Sequence, residues 1–157
     1  MKRIKCILST LLVCGIVAGF LCTPAWAADY SENSQTVVFF ADGSYLVTTI
    51  VSDAQAVMSE RGAVNTKSGT KHYDYYNGSR ELMWTFRVHG TFTYDGRSAE
   101  ATFADYSYDI YDSSWSFDGG SASYSGCTAT ASGSFSHFFI SVPVTLSLTC
   151  SPKGVLS

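Results

Sequence analysis

Three histidines, His72, His89 and His137, are the bases this chain could offer to acid–base or nucleophilic chemistry. A hydrolytic site needs such a base beside a nucleophile, with a third group to orient it. Serine is abundant, yet no Gly-x-Ser-x-Gly run occurs, and the strand–turn–helix context for one is missing. His-x-His and His-x-x-x-His spacings, which would turn two imidazoles toward one metal ion, are also absent. His89 lies two residues from Arg87 on the polar side of an alternating segment, an arrangement that suits a solvated surface. His72 precedes a tyrosine cluster, and His137 falls near a turn.

Carboxylates come next. Asp105 and Asp109 share one side of an alternating segment, with Asp112 just beyond. Oxygen-rich groups of this kind can hold calcium outside cells, but the spacing is not that of an EF-hand loop. Charge placed on a wet strand face to discourage sheet-to-sheet association explains the three more economically. No carboxylate pair is singled out for glycoside hydrolysis, and no cofactor motif is visible.

Aromatic residues are the strongest pointer to function. Beyond residue 27 the chain carries ten tyrosines, nine phenylalanines and two tryptophans. Trp84, Phe86 and Phe92 read as core. Tyr73, Tyr75 and Tyr76 form one cluster, and Tyr106, Tyr108 and Tyr111 form another close to Trp115. A flat apolar face with a polar tip suits sugar rings and protein hot spots alike. Tyrosine is also a good strand former that fills half-buried positions.

Positioning these side chains falls to strands. From Leu82 to Tyr94, Leu82, Trp84, Phe86, Val88, Phe92 and Tyr94 point one way, while Met83, Thr85, Arg87, His89, Thr91 and Thr93 point the other. That is a strand with one dry face and one mostly wet face. Gly90 within it marks a bulge or bend. From Phe138 to Cys150 the apolar set is Phe138, Ile140, Val142, Val144, Leu146, Leu148 and Cys150. Pro143 removes a ladder donor, which points to an edge position or a bulge. Ala104, Tyr106, Tyr108 and Ile110 alternate with Asp105, Ser107 and Asp109. Val37–Phe39 and Tyr45–Val47 read as a hairpin across Ala41-Asp42-Gly43-Ser44. Asn77-Gly78, Asp95-Gly96 and Asp118-Gly119-Gly120 supply further turn signals. Asn77-Gly78-Ser79 also matches a glycosylation sequon, but a hairpin turn accounts for it. Only Asp53 to Ala63 could hold a short helix. Seven or eight short strands joined by tight connections predict a single antiparallel β-sandwich.

The first 27 residues read differently. Met1-Lys2-Arg3-Ile4-Lys5 is a basic head, Cys6 to Cys22 is an apolar run, and Thr23-Pro24-Ala25-Trp26-Ala27 ends it with small residues at −3 and −1. That layout predicts a signal peptide (1–27) cleaved near Ala27, leaving an exported, extracellular β-sandwich domain (28–157) with no stable membrane anchor. Loss of Lys2, Arg3 and Lys5 leaves seven basic against 13 acidic residues. The resulting negative charge disfavours nucleic acid as a partner. Two cysteines remain, Cys127 and Cys150, and an exported domain with two predicts one intradomain disulfide. Both fall on apolar strand faces, Cys127 beside Ala129 and Ala131, so both thiols would point into the core.

Met83-Trp84, Gly90-Thr91-Phe92-Thr93-Tyr94, Ser114-Trp115 and the closing Leu148-Thr149-Cys150-Ser151-Pro152-Lys153-Gly154 resemble a group of small secreted proteins of Gram-positive bacteria without an assigned function. The resemblance covers Lys67 to Ser157. It implies export and a β-fold, and it brings no catalytic residue to this chain.

The expectation from sequence is therefore a secreted, non-catalytic binding domain for a glycan or a protein surface, with the two tyrosine clusters and Trp115 as candidate contacts. A secreted antagonist of the bacteriocin or toxin kind is the alternative, and a divergent secreted hydrolase comes behind it.

Overall fold

The computed structural model describes residues 34–53 and 64–157. The expected leader lies outside them, as does the helix considered between Asp53 and Ala63, apart from Asp53 itself. Eight strands follow one another in the described residues: β1 Ser34–Phe39, β2 Tyr45–Ser52, β3 Asn65–Tyr76, β4 Leu82–Tyr94, β5 Ala99–Ile110, β6 Trp115–Ser125, β7 Thr128–His137 and β8 Ile140–Thr149. All neighbours pair antiparallel, as short connections require. They form a five-stranded sheet ordered β1-β2-β3-β4-β5 and a three-stranded sheet ordered β6-β7-β8. The all-β, two-sheet architecture expected of a sandwich is present.

The alternating residues decide how the sheets meet. Trp84, Phe86, Val88 and Phe92 of β4 are buried against Ala129, Ala131 and Phe135 of β7 and Val144, Leu146 and Leu148 of β8. Trp84 stacks on Phe135 at 4.2 Å and 8° across the interface. Phe86 meets Phe117 and Phe135, and Tyr108 stacks on Phe117 at 3.9 Å. Pro143 lies on β8, an edge strand, where its missing N–H leaves no gap in an interior ladder.

Three departures from simple alternation have local causes. Asp118-Gly119-Gly120 is not a turn but lies inside β6, where the β6–β7 register shifts between Phe117 and Gly119. Gly119 takes φ 129°, so the extra residue forms a bulge and the strand continues. Met83 and Thr85, expected on a wet face, are buried. Thr85 gives its hydroxyl to Asp74 at 2.6 Å, and Met83 has no partner where the β3–β4 register shifts. Phe138 and Ile140 are 81% and 64% exposed, not inward. Phe138 and Phe139 are the whole connection between β7 and β8, and Phe138 adopts φ 54° to reverse the chain.

Gly90 is a matter of space. A Cβ there would come 2.7 Å from Phe92 Cζ and 3.0 Å from the Ala129 Cβ of the facing sheet. Gly69 and Ala104 flank it in register, but it is the missing side chain of Gly90 that leaves room for the Phe92 ring, while Gly69 makes room for Leu156. Gly90→Ala is expected to destabilise by about 1–3 kcal/mol through overpacking, read as a lower urea midpoint at unchanged slope.

Candidate functional site

Four connections gather at one end of the two sheets: β1–β2 around Asp42, β3–β4 around Asn77, β5–β6 around Asp112, and β7–β8 at Phe138–Phe139. Loops held by a rigid scaffold are the usual carriers of binding. Between them opens a cleft of about 590 Å³, lined by residues of the first three connections and by strand ends, among them His137 and Ile140 on either side of the β7–β8 turn. That volume falls within the range of small-molecule and side-chain pockets.

Aromatic rings form its wall. Tyr75 stacks on Trp84 at 5.1 Å, and Trp115 meets Tyr75 edge-on at 5.5 Å. Phe40 lies 6.5 Å from Tyr75 on the β1–β2 side. His137 stacks on Trp115 at 4.9 Å, and Phe138 closes edge-on over His137 at 4.4 Å. Met83 joins the lining because of the irregularity at the start of β4. Bulges re-aim side chains next to functional sites in this way. The Met83 carbonyl also accepts from the Tyr111 and Asp112 amides at 2.9 and 3.3 Å, which fastens the β5–β6 connection to β4.

Two carboxylates share the cleft, and both are built by the same short pattern. In Asp42-Gly43-Ser44, Asp42 Oδ1 accepts from the Ser44 amide at 3.0 Å and from the Ser44 hydroxyl at 2.6 Å. In Asp112-Ser113-Ser114, Asp112 Oδ1 accepts from the Ser114 amide at 2.8 Å. Such Asx turns reverse the chain through a side-chain bond to the backbone two residues on. Hydrogen bonds from the serine side chain and amide hold each carboxyl below its ordinary value. For Asp112 the nearby His137 acts in the same direction.

The sequence candidates scatter. Tyr75, Trp115 and Asp112 reach the cleft. Tyr73 and Tyr106 pack against the core instead. Tyr76 stacks on Tyr45 at 4.7 Å and 6°, and Tyr45 lies 5.5 Å from Phe39, so three adjacent strands carry an aromatic strip. Burial is the main influence raising the Tyr76 phenol pKa, aided by Asp74, Tyr45 and Tyr111. Tyr108 is spent on Phe117, and Tyr111 is exposed. Phe40, Asp42, Ser44 and Met83 were not anticipated. The signal available for them was topological: turn residues of alternate connections in an up-and-down chain must meet at one end.

Catalytic and metal readings fare less well. Asp105 is exposed on β5, and Asp109 is paired with Arg87 at 2.6 Å. Among the described residues no three His, Cys, Asp or Glu side chains gather as a metal site. Ser107 Oγ does lie 2.9 Å from His89 Nε2, with His89 Nδ1 2.9 Å from Thr70 Oγ1. That is nucleophile–base spacing, but all three lie mid-strand and outside the cleft lining. Their surrounding amides belong to strand ladders, which are poor donors for an oxyanion hole. In the cleft the Ser44 hydroxyl is committed to Asp42, and His137 is stacked on Trp115.

At the opposite end, the Cys150 amide donates to the Cys127 carbonyl at 2.9 Å, one step beyond the Thr128–Thr149 pair. The expected bridge is not formed: both cysteines are free thiols, Cys150 buried and Cys127 half-buried. Burial, the largest influence, raises the Cys150 thiol pKa, while Lys67 works against it.

Fold and site together define an all-β, two-sheet domain with an aromatic cleft between its end loops. Comparison with family models, curated proteins and solved structures finds no match to this chain.

Proposed function

We propose that this chain is an exported, non-catalytic binding domain that takes part of a glycan or protein ligand into the end cleft. The cleft carries the reading: a concave site where aromatic and aliphatic side chains converge with polar turn residues is the usual form of a recognition site. Its surroundings agree. Phe138 keeps an aromatic side chain at φ 54°, where glycine or asparagine would cost less. Phe139 beside it is fully exposed. Aromatic side chains held out at a strained turn serve folding poorly and a partner well.

Export also suggests oxidation of the Cys127–Cys150 pair by thiol–disulfide exchange with a catalyst carrying a disulfide, which is released as its dithiol while the two cysteines lose two hydrogens. An antiparallel hydrogen-bonded pair holds its Cα atoms roughly 5.5 Å apart, within the span a disulfide bridges.

A glycan and protein array probed with the purified domain tests the binding reading. Trp115→Ala is expected to weaken any captured ligand at least about tenfold, the loss typical of a central aromatic contact. Urea unfolding of the variant separates this from loss of structure. Undiminished capture by a folded Trp115→Ala protein would move the site elsewhere.

A further inference from the structure

We infer that the end cleft selects an organic cation, an alkylated ammonium or a guanidinium group, from whatever ligand it binds. This rests on the cleft being the binding site.

The lining supplies both halves of such a site. Phe40, Tyr75 and Trp115 provide ring faces and edges on the wall, and Asp42 and Asp112 provide negative charge on the same lining. A cation over an aromatic face is attracted by the ring quadrupole, most strongly where water is partly excluded. Each carboxylate spends Oδ1 on its own turn. The Asp42 bonds fall on Oδ1 alone, and Asp112 is engaged by its own turn residue Ser114 through amide and side chain. Their turns lower both carboxyl pKa values, which favours the charged form. The rim charge is therefore built into the loops that make the cleft.

Among the described residues no lysine or arginine side chain lines the cleft, although Arg80 lies on the β3–β4 connection at the same end. Arg87 is held by Asp109 on another face. His137 is the one basic group in the lining, and its ring is engaged with Trp115 and Phe138. A small metal ion is a poor fit, since among the described residues no three His, Cys, Asp or Glu side chains gather as a metal site. Two carboxylates around an apolar, aromatic space suit a large cation with a greasy surface. Neutral sugars would gain from the rings but nothing from the charges.

The test compares charged and uncharged probes of the same shape. Choline and its carbon isostere 3,3-dimethylbutan-1-ol are titrated into the purified protein while the Trp115 indole N–H resonance is followed. N-acetyl-lysine methylamide forms a further arm, distinguishing a protein side chain from a free quaternary amine. Choline or the lysine amide is expected to bind about tenfold tighter than the neutral isostere, the scale of a partly desolvated cation–π and carboxylate contact. Asp42→Asn and Asp112→Asn keep the turn hydrogen bonds, and each should cut that preference several-fold. Equal affinity for charged and neutral probes would overturn cation selection while leaving the cleft a binding site. No response to either charged probe would also overturn it, and the array with Trp115→Ala then judges the cleft independently.

Discussion

Replacing Phe135 with alanine is expected to cost about 3–5 kcal/mol, a large share of the roughly 5–15 kcal/mol that keeps a domain folded. Phe135 is fully buried at the centre of the intersheet contact. Its ring stacks on Trp84 at 4.2 Å, meets Phe86 and Tyr108 edge-on, and lies 5.1 Å from Phe117. Its removal takes apolar area out of the core and leaves a void the rigid sheets cannot close. The midpoint of thermal unfolding should fall by more than about 10 °C. Phe139→Ala, at the fully exposed turn between β7 and β8, should stay within about 0.5 kcal/mol of wild type. Equal stability of the two variants would contradict the packing of β4 on β7. The site should respond as well. Tyr75 rests on Trp84, and Trp84 rests on Phe135, so the cleft wall loses its support with the core.

The second large effect concerns the cysteines. Protein recovered from an oxidising compartment should be lighter by two hydrogens, and Cys127→Ser should destabilise it by about 3 kcal/mol, about 10 °C in midpoint for a domain of this size. The closed segment runs from Cys127 through β7, the Phe138–Phe139 turn and β8 to Cys150. The link would therefore tie the two ends of the hairpin that carries Phe135. In the reduced protein, iodoacetamide should modify Cys127 well before Cys150. The thiolate is the reacting species, and burial holds Cys150 in the thiol form. An exported protein that keeps two titratable thiols and loses no stability in Cys127→Ser would remove the bridge from the account.

Most of the strand scaffold was legible because alternation reports one thing directly, which side of a strand faces oil. Trp84, Phe86, Val88 and Phe92 are buried as their spacing requires, and the Asp42-Gly43 and Asn77-Gly78 turns fall where expected. The pattern failed where an extra residue breaks the two-residue count. Met83, with no cross-strand partner, is turned from a wet face into the cleft lining, and Asp118 is a bulge within β6 where a turn was expected. It failed again at the β7–β8 reversal, where Phe138 leaves the strand and Phe138 and Ile140 are exposed. The candidate site was legible only in part. Tyr75 and Trp115 were among its expected aromatic contacts, and Asp112 enters it from a group weighed only for calcium, but the tyrosine clusters divide between cleft, core and outer strip.

Alternation, turn chemistry and composition by themselves determined an antiparallel β chain, its principal core side chains and most of its reversals. These are local properties, set by residues within a few positions of one another. Which side chains meet across the gap between sheets was decided by the tertiary structure alone. Phe40, Tyr75, Trp115 and His137 lie on four different strands or connections, and only the closing of a five-stranded sheet over a three-stranded one gives them a common cleft. The physical reason is that a strand's periodicity fixes the direction of a side chain but carries no information about what stands opposite it.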